Sequence, residues 1–214
     1  MPGRRRLGGA PQIQAMSSED PESGAHDRLR RVTVGEPALN AGPIVLEAYS
    51  HRWPELFAVE SARVGAALGG RALQLEHVGS TSVPGLAAKP IIDMCLVVED
   101  SADEAAYLPT LEVAGYALRV REEDWHQHRM FKGRAADINL HVFSVGCPEI
   151  ERMLAFRDRL RGDGSARNLY ERTKQELAHR HWTYVQDYAD AKSAVVEAIM
   201  AVEPAPPGDA GAAS

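Results

Sequence analysis

Leu75–Val98, LEHVGSTSVPGLAAKPIIDMCLVV, decides how this chain is read. A strand pattern runs into Gly79-Ser80, breaks through small residues, passes Lys89-Pro90, and resumes as a second apolar strand. That strand carries one carboxylate, Asp93, among Ile91, Ile92, Met94, Cys95 and Leu96. Burying even a neutral polar group without a partner costs roughly 2–7 kcal/mol. The pattern therefore requires a cation, a metal or a solvent-open strand end beside Asp93. A Gly-Ser turn after a strand is where backbone N–H groups turn toward an anion, and Ser80, Thr81 and Ser82 add hydroxyls. The plainer reading is a tight turn whose hydroxyls bond their own backbone. The G-x-x-x-x-G-K-[ST] spacing of a Walker A loop does not occur.

Upstream of this stretch, Pro43–Tyr49 (PIVLEAY) reads as a short strand. A helix follows, with Pro54 near its first turn, Phe57, Ser61, Val64 and Leu68 on one face, and Gly69-Gly70 as its stop. Downstream, Ser101-Ala102-Asp103-Glu104 has the form of a capping box opening a helix, which Pro109 kinks or restarts and Gly115 ends. Tyr116–Glu122 alternates as a strand, and His128–Lys132 suits a short hairpin. Ala136–Phe143 alternates cleanly, with Asp137, Asn139, His141 and Phe143 on one face and Ile138, Leu140 and Val142 on the other. Helical segments then begin at Pro148, at Ser165 as a cap, and at residue 188. The order predicts an α+β domain over residues 41–202: a mixed sheet flanked by helices, with a helical C-terminal third. Residues 1–40 and 203–214, rich in Gly, Pro, Ala and Ser, read as disordered tails.

The net charge of −6 over 214 residues gives the average surface no attraction for nucleic acid or anionic lipid. No run is long and apolar enough to span a membrane, and Arg4-Arg5-Arg6 has no apolar segment behind it to make an export signal. Cys95 and Cys147 are far apart and match no metal spacing, so both read as reduced thiols in a cytoplasmic protein.

Asp93 suits a divalent cation, which in phosphate chemistry holds a triphosphate and offsets developing charge; its plainer role is an ion pair with Lys89 or an arginine. Lys89 either holds phosphate as a point charge or neutralises Asp93. Asn139 and His141, with Asp137, are candidates for a second ligand, a general base or substrate hydrogen bonds. Arg129 and Lys132 reach an anionic substrate or form a solvated edge. Arg157, Asp158 and Arg161 read as a charged helix face, and His77 as a structural histidine.

The string EHVGSTSVPGLAAKPIID, preceded by RWPELF and followed by GY, LHVF, LAFRDRLR and DAKSAVVEAI, resembles the GrpB family over about Ile44–Met200. That family is placed in the nucleotidyltransferase fold superfamily related to DNA polymerase β. The superfamily's marks are an hG[GS] turn and an hDh[DE]h strand, often with a third carboxylate on a later strand. Val78-Gly79-Ser80 fits the first mark and Ile92-Asp93-Met94 opens the second. The resemblance implies transfer of a nucleotidyl group, adenylyl first, from ATP or another NTP to a small-molecule acceptor, with Mg2+ or Mn2+. Gly79, Ser80, Thr81 and Ser82 would meet phosphate, Lys89 would offset its charge, and Asp93 and His141 would hold metal. Asn139, Arg129 and Lys132 would bind substrate. The chain departs from the pattern at Cys95, which stands where the second carboxylate belongs, and the later strand offers Asp137, Asn139 and His141 instead of one clear third carboxylate. A nucleotide- or metabolite-binding module without catalysis is the alternative. GrpB-like domains also occur fused to dephospho-coenzyme A kinases, which hints at coenzyme A metabolism. This chain has no kinase P-loop.

Overall fold

A computed structural model describes residues 21–133 and 137–202. Five strands form one mixed sheet: β1 (Gln74–Val78), β2 (Ile92–Val98), β3 (Tyr116–Glu122), β4 (His128–Gly133) and β5 (Ile138–Ser144). Their spatial order is β1-β2-β5-β4-β3. The β2–β5 pair is parallel, and the β1–β2, β4–β5 and β3–β4 pairs are antiparallel. Seven helices complete the described fold: α1 (Pro21–Val32), α2 (Arg52–Leu68), α3 (Leu108–Val113), α4 (Pro148–Gly162), α5 (Gly164–Ala178), α6 (Val185–Asp190) and α7 (Ser193–Ala201). This is the expected α+β arrangement, a mixed sheet flanked by helices with a helical C-terminal third. Among the described residues no helix is long and apolar enough to cross a membrane.

Strand alternation divides the sheet's two faces by chemistry. Met94, Leu96, Ile138, Leu140, Val142 and Phe131 turn to one face and form the main core with Trp53, Val64 and Leu68 of α2 and Leu111 of α3. The opposite face is apolar only at one end, where Val78, Cys95, Val97 and Phe143 meet Ile150 of α4. Asp93, Asn139 and His141 occupy the other end of that face. A second apolar cluster joins Val83 and Leu86, from the turn after β1, to Leu160 of α4, Tyr170 of α5 and Val195 and Ile199 of α7. The C-terminal helices therefore dock on the turn and stand over the polar end of the sheet. Arg157 and Arg161 take part: Arg157 Nη1 donates to Glu76 Oε2 at 2.8 Å, and Arg161 Nη2 to the Ser82 carbonyl at 2.8 Å.

The structure departs from sequence expectation at several elements. Residues 21–40, expected within a tail, contain α1 and an arm that bridges Thr33 to Val120 and Leu39 to Tyr184. Only Ala25, Leu29 and Val32 form the apolar stripe of α1, in a segment otherwise polar and charged, and the arm is held by partners distant in sequence. Residues 1–20 and 203–214, the rest of the expected tails, lie outside the described residues. Pro43–Tyr49 is not a strand. Glu47 alone exchanges backbone bonds with Ala88, at 2.8 and 2.9 Å, and Pro90 beyond it has no N–H to extend a ladder. Ser101 caps no helix, because its hydroxyl is 2.9 Å from that of Ser144. Residues 104–106 form a single 3-10 turn, and α3 starts afresh with Pro109 in its first turn. Asp163, rather than Ser165, caps α5. The last expected helix is two, α6 and α7.

Candidate functional site

Gly79 ends β1 at φ 67°, in the left-handed region, and a Cβ there would collide with the Asp93 carboxylate. The register explains the approach: Val78 pairs with Asp93 across the β1–β2 ladder. Residues 80–82 then make one 3-10 turn. Within it, Ser82 Oγ donates to the Gly79 carbonyl at 2.6 Å and Thr81 Oγ1 to the Ile91 carbonyl at 3.0 Å. Both side chains are buried and already bonded, so the plainer reading holds for Thr81 and Ser82, and only Gly79 and Ser80 of the turn face the cavity.

Asp93 stands beside Asn139, its register partner on β5, and Asn139 Nδ2 donates to Asp93 Oδ1 at 2.6 Å. His141 Nε2 is 3.9 Å from the same oxygen. Burial pushes the Asp93 carboxyl upward, but His141, Asn139 and Lys192 together outweigh it and hold it below the ordinary range. Among the described residues, the buried amide oxygen of Asn139 has no hydrogen-bond partner. Cys95, one step along β2, faces the same side but is sealed in the apolar cluster, where burial pushes its thiol up to about 12. It offers no thiolate and no substitute for a carboxylate.

A cavity of about 420 Å3 opens over this group. Its floor is Gly79, Ser80, Asp93, Asn139 and His141; Lys89 and Lys132 stand at its sides. The C-terminal helices contribute Lys174 from α5, Tyr188 from α6, and Lys192 from the link to α7, while Leu29, Thr33, Pro37 and Ala38 of the N-terminal arm form another wall. Among the described residues, none of Lys89, Lys132, Lys174 and Lys192 has a carboxylate within ion-pair distance. Lys174 donates to the Ala87 carbonyl. Burial drives the Lys174 ammonium down to about 7, and Lys192 pushes the same way. Lys192 falls to about 8 through burial, against the pull of Asp93. Lys89 is lowered too, by burial and by Lys132. Tyr188, 3% exposed, lies beneath the Lys192 ammonium, 4.5 Å from its ring centre, and its hydroxyl has no partner.

Arg129 does not belong here. It pairs in register with Val142, on the core face, and is 3% exposed; its Nε donates to Glu104 Oε1 at 2.5 Å. Lys132, by contrast, pairs with Asn139 and shares its face. Asp137 precedes β5 and does not line the cavity. His77 stacks on Phe57 away from the cavity, with its Nε2 3.1 Å from Thr81 Oγ1. Sequence reasoning missed Lys174, Lys192 and Tyr188. One signal was available: Tyr170, Lys174 and Leu177 follow an apolar helical spacing, and a lysine inside a buried stripe needs a destination.

The sheet, the Gly79 turn and the Asp93 site define a chain of known kinship. GrpB protein matches it over residues 43–202, and the chain belongs to the GrpB family. A UPF0157 protein of Halalkalibacterium halodurans is 55% identical over 190 residues, which is 89% of this chain and 96% of that protein. The crystal structure of the conserved protein GrpB from Enterococcus faecalis superposes with a TM-score of 0.60 at 29% identity, over 73% of this chain and 99% of that one. A dephospho-CoA kinase of Mycolicibacterium paratuberculosis is 29% identical over 164 residues, 64% of this chain and 40% of the kinase.

Proposed function

We propose that this protein is a nucleotidyltransferase that moves an adenylyl group from ATP, or a nucleotidyl group from another NTP, to a small-molecule acceptor. The observation that carries the reading is the charge in the cavity. Among the described residues, Lys89, Lys132, Lys174 and Lys192 converge there with no carboxylate at ion-pair distance, around Asp93. Desolvated cations with no counter-ion are costly, and a polyanionic ligand supplies what they lack. In this reading Gly79 and Ser80 meet phosphate at the end of β1. Lys89 and Lys192 offset its charge, and Lys132 faces the acceptor.

Enzymes of the implied superfamily use Mg2+ on clustered carboxylates. The residues here could hold one divalent ion: Asp93, His141 and the Asn139 side chain stand together on two paired strands. They do not fit a second, because Cys95 is a sealed thiol. The bound ion would offset charge on the transferring phosphoryl group. The chain's own part is to orient the phosphates on preplaced cations and to exclude water with the arm and the C-terminal helices. The kinase chemistry of the fused relative does not come with the shared segment, since the P-loop spacing is missing. We place the protein in the reducing cytoplasm, a reading supported by two free cysteines.

A second reading, a nucleotide- or metabolite-binding module without catalysis, is favoured by Cys95 alone. Calorimetry of ATP with and without Mg2+, on wild type and Asp93→Ala, tests the first. Metal-dependent binding lost in the variant is expected. Nucleotide binding by neither protein, across several nucleotides, overturns the first reading and the nucleotide form of the second. Release of pyrophosphate in the presence of pooled acceptors separates them: the module binds ATP and returns it unchanged.

A further inference from the structure

The nucleotide reading leaves one connected set of side chains without a role. Glu122 on β3, His128 on β4 and His141 on β5 form a line across neighbouring strands toward Asp93. His128 Nδ1 is 2.9 Å from Glu122 Oε2, and His128 Nε2 is 3.0 Å from His141 Nδ1. His128 is 5% exposed and stacks on the ring of Phe143, with Trp125 at its edge. Arg28 of α1 holds the other oxygen of Glu122 at 3.4 Å.

The protons in this line follow from what each group is able to donate. A carboxylate only accepts, so Glu122 takes the N–H of His128 Nδ1. A neutral imidazole has a single N–H, which leaves His128 Nε2 as an acceptor. His141 Nδ1 must then be the donor. With Nδ1 turned to His128, the His141 nitrogen left to meet a cation is Nε2, 3.9 Å from Asp93 Oδ1. The buried Asn139 oxygen, with no hydrogen-bond partner among the described residues, is a third lone-pair donor in the same place. Beyond the Asn139 amide N–H that Asp93 Oδ1 accepts, these groups offer lone pairs, which a cation would satisfy. Histidine ligands of metals commonly give their other N–H to a further partner that fixes the ring and raises its basicity, and Glu122–His128 has that form. Among the described residues no third carboxylate, thiolate or imidazole joins Asp93 and His141, so the remaining coordination positions are open to ligand and water.

We propose that Glu122 and His128 hold His141 as an Nε2 ligand, and that the cation site at Asp93 therefore selects a divalent transition ion over Mg2+. The inference deepens the nucleotide reading and rests on its single cation. Its chemical basis is ligand type: Mg2+ prefers an all-oxygen shell, whereas imidazole nitrogen suits first-row transition ions. Glu122 and His128 are positioning residues, since neither reaches the ion.

The experiment titrates Mn2+ into the metal-free full-length chain, counting free ion by electron paramagnetic resonance, with Mg2+ as competitor. A non-hydrolysable ATP analogue is followed in the same samples. Wild type is expected to bind Mn2+ at least about tenfold more tightly than Mg2+. His128→Phe keeps a ring in the stack but removes the acceptor for His141. It is expected to weaken Mn2+ by about 10–100-fold and to leave Mg2+ nearly unchanged. Because that variant could lose its fold, nitrogen-15 spectra of metal-free wild type at pH 8 give an independent reading. His141 is expected to show a protonated Nδ1 and an unprotonated Nε2. A protonated Nε2, or equal binding of Mn2+ and Mg2+ by wild type, overturns the proposal. If the ATP analogue then binds equally well with either ion, the transferase reading survives alone. If neither ion nor nucleotide binds, both readings fall.

Discussion

Gly79 is the residue at which backbone geometry and site chemistry meet. Its φ of 67° and the absence of a Cβ let the chain turn directly against the Asp93 carboxylate. Gly79→Ala introduces a left-handed alanine, a strain of about 1–3 kcal/mol, and displaces Asp93 as well. Urea denaturation is expected to show a loss in that range. Calorimetry on the folded variant is expected to show lost ATP binding; binding equal to wild type at lowered stability would separate the turn from the site. At this scale the sequence was informative where a residue broke its local pattern. A glycine at a strand end, one carboxylate in an apolar strand, and polar residues alternating on β5 all pointed to the cavity. Arg129 was misplaced because its charge was read without its parity. It alternates with Phe131, which is fully buried in the core, so the two share that face. Lys174, Lys192 and Tyr188 break no strand pattern. They reach the site only because the C-terminal helices dock on the turn after β1.

The β3–β4 hairpin shows why elements hold where they do. Glu104, in the 3-10 turn before α3, accepts from Arg121 of β3 at 2.6 Å and from the buried Arg129 of β4 at 2.5 Å. Hydrogen bonding from Arg121 first, and then from Arg129, overcomes burial and holds the Glu104 carboxyl down at about 2. A depressed carboxyl stabilises the fold above its unfolded value, and that contribution is lost as pH falls from 4.5 through about 2. Glu104→Gln leaves Arg129 buried without its counter-ion, and a loss of about 3 kcal/mol is expected in urea at pH 7. The gap between wild type and variant should close as pH falls from 4.5 toward 2, because the wild-type carboxyl then becomes neutral too. A gap that persists there would place the effect in shape rather than charge. The β3 strand was legible from alternation, as were α2, with its Gly69 stop, and α4 with its Pro148 start; the short hairpin expected through His128–Lys132 is instead a single strand, β4, which pairs with β3. The arm of residues 33–40 and the Glu47–Ala88 bridge were not, because each is held by partners remote in sequence rather than by a local period.

For the molecule as a whole, charge is distributed against the average. The chain carries a net −6, yet the cavity over Asp93 gathers four lysines around that one aspartate. In the empty protein burial, more than their mutual repulsion, drives protons off two of them: Lys174 is lowered to about 7 and Lys192 to about 8, against 10.5 for an ordinary lysine. The unfolded chain keeps those protons up to 10.5, so across this window it binds more protons than the fold, and the stability of the empty protein is expected to rise with pH. A polyanion in the cavity reverses the balance, because it favours both ammonium groups in their charged form. Tripolyphosphate binding at pH 8.5 is therefore expected to take up protons, measured by calorimetry in two buffers of different ionisation enthalpy. Its affinity should fall as pH rises further, after the phosphates themselves are fully ionised. Lys174→Met and Lys192→Met should each reduce the uptake while making the empty protein less sensitive to pH. Binding without proton uptake would mean that the ligand's charge does not reach these two lysines, and would move the phosphates toward Lys132.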